Sequence, residues 1–101
     1  MPDLMPMELF TPHLGSTFNV VTTSEPIPLV LSTVTSLGAA PAPRGDFVFR
    51  APFSLVFLGP AAVLLPQRTY RLSHGSLGEL DIFLVPLGPK DGKLRYEAVF
   101  S

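Results

Sequence analysis

The chain has 101 residues, 47% apolar and 15% charged, with 12 Pro, 8 Gly and neither Cys nor Trp. That length accommodates one domain, the composition is too apolar for disorder, and the lack of Cys excludes a disulfide scaffold or thiolate metal centre. Seven basic against eight acidic side chains give a formal charge of −1, which leaves no basic footprint for nucleic acid.

The N-terminal stretch Met1–Phe10 lacks Lys and Arg, carries Asp3 and Glu8, and is broken by Pro2 and Pro6. It does not read as a secretory signal. The long uncharged runs Pro26–Pro43 and Ala51–Gln67 are interrupted by polar residues, Pro and Gly, so no membrane span is expected and the expected compartment is the cytoplasm. Residues 1–15 form an arm with a short helix at Met7–Leu14. Leu9, Phe10 and Leu14 can line one stripe of that helix, while Pro12 limits its length and Gly15 ends it.

From there the chain reads as strands: Thr17–Thr23, Ile27–Leu37, Phe53–Leu58, Arg68–Ser73, Glu79–Val85 and Leu94–Phe100, bounded by Gly or Pro and rich in β-branched and aromatic residues. Residues 38–50 read as a flexible loop in which Phe47 and Phe49 are candidate anchors. The last three strands alternate. Tyr70 and Leu72 oppose Thr69 and Arg71; Leu80, Ile82 and Leu84 oppose Glu79, Asp81 and Phe83; Leu94, Tyr96, Ala98 and Phe100 oppose Lys93, Arg95 and Glu97. A period of two with one apolar face belongs to antiparallel sheet. The linkers His74–Gly78 and Gly88–Gly92, the second with an Asp-Gly turn signal, complete a C-terminal three-strand meander. The expected fold is all-β over residues 1–101: a small antiparallel six-strand barrel, or a two-sheet sandwich, which hides the same faces and edges.

Three blocks carry a resemblance. Arg50–Pro60 reads RAPFSLVFLGP, Leu65–Pro89 reads LPQRTYRLSHGSLGELDIFLVPLGP, and Arg95–Phe100 reads RYEAVF. Their order and content resemble a family of small bacterial proteins of unknown function that share PFSLxFxGP, LPQxxYxLxHxxLGEL, FLVPxGP and YEAVF blocks. The resemblance covers the last half of the chain. It implies no catalytic residue and no cofactor, and it implies an accessory role beside phage-tail-like proteins.

Each polar cluster has a structural and a functional reading. His74, beside Ser73 and Ser76, could serve as the base of a minimal hydrolase with Asp81 as its orienting group. The segment lacks a Gly-x-Ser-x-Gly elbow, and a histidine that hydrogen-bonds its own hairpin and fixes the turn is the simpler reading. Glu79 and Asp81 share a strand face and could hold a cation, but a hard cation needs about six oxygen ligands. A surface ion pair with Arg71, expected opposite Glu79, is the simpler reading. Lys90, Lys93 and Arg95 around the Asp91-Gly92 turn read as solvating charges on a hairpin. No metal or cofactor site emerges.

The informative surplus is apolar. Val56, Leu58, Phe83 and Val85 fall where a half-wet sheet should present polar residues, and such a face wants a cover. The reading this favours is a non-enzymatic interaction or assembly module that docks on a protein partner or on itself through these residues, with Phe47 and Phe49 assisting. A barrel for a small apolar ligand and the His74 hydrolase are the alternatives.

Overall fold

The computed structural model of the protein describes residues 6–38 and 52–100. The loop expected at 38–50, with Phe47 and Phe49, lies outside the described residues except for Gly38. Helix α1 (Met7–Phe10) and a 3-10 turn (Thr11–His13) precede six strands: β1 (Thr17–Val20), β2 (Ile27–Ser36), β3 (Phe53–Pro60), β4 (Arg68–His74), β5 (Gly78–Lys90) and β6 (Lys93–Phe100). They close an antiparallel barrel in the order β1-β2-β3-β6-β5-β4. Of the two architectures the sequence allowed, this is the barrel. Closure depends on the short β1–β4 pairing, Asn19 with Ser73 and Val20 with Leu72, extended by the Val21 amide donating to the Arg71 carbonyl at 2.8 Å.

Alternation determines what fills the interior. Phe18, Leu29, Leu31, Leu55, Phe57, Leu72, Ile82, Leu84, Tyr96 and Ala98 are inward and essentially unexposed. Six strands enclose little more than their own side chains, and these residues occupy that space. One mouth is formed by the starts of β1, β3 and β5 and the ends of β2, β4 and β6. The fully buried Phe10 of α1 covers it, with ring centroids 6.4 Å from Phe18, 6.0 Å from Phe53 and 5.7 Å from Phe100. At the opposite mouth the β3–β4 connection inserts Leu65, whose amide donates to the Tyr96 hydroxyl at 3.0 Å; that hydroxyl donates to the Val63 carbonyl at 3.2 Å.

Two local details depart from the alternation pattern. β5 runs on through Pro86 and Pro89 to Lys90, where a linker was expected, and only Asp91 and Gly92 turn the chain. Positive φ at both (53° and 78°) is the conformation of a type I′ hairpin turn. The prolines are tolerated because β5 pairs with β4 only as far as Arg68–Leu84; beyond that point one of its sides is an edge. A bulge between Pro86 and Gly88 absorbs the irregularity. In addition, Arg71 sits opposite Asp81, with Glu79 opposite Ser73. The expected Arg71–Glu79 pairing is therefore one step diagonal, because the hairpin turns about Ser76 rather than Gly75.

Candidate functional site

The outward side chains of β3, β6 and β5 form the surface to which the apolar surplus points. Val56 lies opposite Glu97, and Glu97 lies opposite Val85 on the other side. This row joins two of the predicted contact residues, with a carboxylate between them. Leu58 is opposite Arg95 and, across β2, Val30. Pairing of β5 with β6 ends at Val85–Glu97; beyond it Phe83 stays paired to Thr69 and Val99 to Ser54. Phe83 and Val99 project there, 48% and 59% exposed.

The four described residues singled out from the sequence thus share the outer surface in two groups. Val56 and Leu58 line a groove of about 470 Å³ with Ser32 and Thr33 of β2, Lys93 and Arg95 of β6, and Lys90 and Asp91 of the hairpin end. Phe83 and Val85 lie on the far side of β6 from β3. Sequence reasoning left Lys93 and Arg95 as solvating charges. The Asp-Gly turn sets the β5–β6 register, but no local signal places β6 against β3, the pairing that brings these cations to Leu58 and Val56. Arg95 is half-buried. Its Nη2 donates to the Leu87 carbonyl at 3.4 Å, whereas its Nε is buried without a hydrogen-bond partner.

The second polar constellation lies under the first mouth. His74 Nδ1 accepts the amides of Ser76 at 3.0 Å and Leu77 at 3.2 Å. A neutral imidazole has one donor and one acceptor, so the proton resides on Nε2, which donates to Ser16 Oγ at 3.0 Å; that hydroxyl donates in turn to the His13 carbonyl at 2.6 Å. Rings enclose the imidazole, with Phe18 at 4.4 Å and His13 edge-on at 4.5 Å. Burial, and secondarily His13, pushes its pKa below the ordinary value. A serine does stand beside this histidine, but it is Ser16 rather than Ser73 or Ser76. The direction of donation is opposite to that required for a base activating a nucleophile, since Nε2 would have to accept from Oγ.

The carboxylates of β5 are engaged by Arg71. Its Nε donates to Asp81 at 3.0 Å, Nη2 to the other Asp81 oxygen at 3.4 Å, and Nη1 lies 3.8 Å from Glu79. The Arg71 hydrogen bond holds the Asp81 carboxyl below the usual range. Among the described residues, no three His, Asp or Glu side chains gather as metal ligands do, and no helix is long and apolar enough to cross a membrane.

The family described as Domain of unknown function (DUF6916) matches residues 5–100. The chain belongs to that family. The DUF6916 match runs through the N-terminal half as well as the C-terminal half that carried the resemblance, so α1, which closes one mouth, and β1, which closes the barrel, fall within the family domain. No curated protein and no solved structure matches the chain significantly.

Proposed function

We propose that this DUF6916 domain is a non-enzymatic docking module that engages a partner protein through the outer face of β3, β6 and β5. One observation carries the reading: Phe83 and Val99 stand exposed, and Val56, Leu58 and Val85 half-buried, on the outside of a barrel whose inward side chains are buried and whose two mouths are covered by Phe10 and Leu65. None of the five belongs to the protomer's core cluster, and apolar side chains left on the outside of a small domain are what an interaction surface uses. The filled interior argues against the apolar-ligand barrel, and the proton direction at His74 argues against the hydrolase. The accessory role implied by the family resemblance is the finer form of the same reading.

The test is made with two pure proteins. A partner is recovered from the native host by crosslinking, purified, and titrated against the wild type and against Phe83→Glu, with melting temperatures checking the fold. The reading expects Phe83→Glu to keep its melting temperature and to weaken the two-component complex. Binding indifferent to this charge overturns it. Solution mass across a concentration series should show a monomer; a dimer that Val56→Glu dissociates would put a second copy on this face instead.

A further inference from the structure

The groove beside the apolar face specifies a chemistry for its occupant. Its floor is aliphatic, from Val56 and Leu58, and its walls carry three cations, Lys90, Lys93 and Arg95, against one carboxylate, Asp91. This is a local excess of positive charge in a chain whose formal charge is −1. The buried Nε of Arg95 has no acceptor. That atom has essentially no accessible surface and the guanidinium's Nη2 is turned to the Leu87 carbonyl, so Nε itself is not a contact for a ligand in the groove, and it is the charge of the groove that selects one. Glu97, two residues along β6 on the same outward face and opposite Val56, flanks the groove but makes no hydrogen bond to that Nε, and Glu79 and Asp81 of β5 are held by Arg71. A guanidinium and an ammonium beside an aliphatic floor select a ligand that presents carboxylates and branched apolar side chains together.

We propose that the groove binds an acidic polypeptide segment of another protein. Its carboxylates are received by Lys93 and Arg95, and a Leu, Ile or Val side chain between them is seated on Val56 and Leu58. This rests on the docking reading above and gives the partner its chemistry. The hairpin geometry makes the site. The type I′ turn at Asp91-Gly92 and the bulge between Pro86 and Gly88 bring Lys90 over the same groove that Lys93 and Arg95 line from the adjacent strand.

The experiment selects ligands from a displayed library of random short peptides on the whole protein, then measures the enriched peptides by fluorescence anisotropy. The expected result is enrichment of Asp and Glu interspersed with Leu, Ile or Val, binding that weakens with added salt, and an affinity reduced roughly tenfold or more by Arg95→Glu. Lys93→Glu, at an exposed position, replaces that variant if it does not fold. Peptides without acidic bias, lost in Phe83→Glu but indifferent to both charge reversals, overturn the groove assignment and leave the docking face standing. Enrichment of nothing, or of peptides indifferent to all three variants, overturns the groove assignment, while the docking face stands or falls by the two-protein titration. A salt-sensitive dimer that Arg95→Glu dissociates overturns the assignment in favour of a second copy of the chain.

Discussion

His74 and Ser16, 58 residues apart in sequence, meet through an Nε2–Oγ hydrogen bond of 3.0 Å that ties the β4–β5 hairpin to the segment entering β1. Because Nδ1 already accepts two hairpin amides, only the neutral ring satisfies the whole set. Protonation places a second N–H against the amides of Ser76 and Leu77.

This arrangement makes stability pH-dependent. A basic group whose folded pKa lies below its ordinary value of 6.5 binds more protons unfolded than folded between the two values. Its stabilisation is therefore present in full above about 6.5 and falls as the pH drops towards the lowered folded value. The melting temperature of the wild type should decline from pH 7 to pH 5. His74→Asn, which offers an acceptor to the hairpin but does not reach Ser16, should be less stable at pH 7 and flatter over that interval. A wild-type melting temperature constant between pH 7 and pH 5 would contradict the assigned tautomer.

Tyr96 is a core residue whose hydroxyl does the work of a cap. It accepts from the buried Leu65 amide and donates to Val63. Tyr96→Phe keeps the ring and strands that amide, with an expected cost of about 1–3 kcal/mol. Urea unfolding measures it, and a neutral result would mean that water satisfies the amide.

Gly59 is required by space. A Cβ there meets Leu29 Cδ2 at 2.7 Å and Tyr96 Cε2 at 3.2 Å. Leu29 is fully buried, and the Tyr96 ring is anchored through its hydroxyl, so neither yields freely. Gly59→Ala should destabilise by about 1–3 kcal/mol through overpacking, read by thermal or urea unfolding. An unchanged midpoint would show that this end of the barrel is loosely packed.

The Arg71 pairs predict an order of effects. Asp81 takes two hydrogen bonds from the guanidinium, whereas Glu79 makes a single 3.8 Å contact. Asp81→Asn should lower the melting temperature slightly and Glu79→Gln by less, with the difference shrinking in high salt because all three side chains are exposed. A larger loss from Glu79→Gln than from Asp81→Asn would reverse the pairing found here.

The candidate site was legible in part. Alternation placed Val56, Leu58, Phe83 and Val85 on the outer face, because side-chain direction in a strand follows parity alone. It could not group them. Glu97 separates Val56 from Val85 and Arg95 flanks Leu58, which depends on the neighbour order β3-β6-β5, and parity says nothing about neighbours. Ser16 escaped notice for a related reason: its partner lies far along the chain.

The strand content, the Asp-Gly hairpin and the inward faces of the last three strands follow from local rules of period two, turn chemistry and proline geometry, so the amino-acid order alone decided them. Barrel against sandwich was decided elsewhere. Closure requires Asn19 and Val20 to reach Ser73 and Leu72, and Phe10 and Leu65 to cover the two mouths. The basic groove likewise exists only once β6 lies between β3 and β5. Contacts between distant segments form when the assembled core makes them favourable, and no local pattern records which segments will meet.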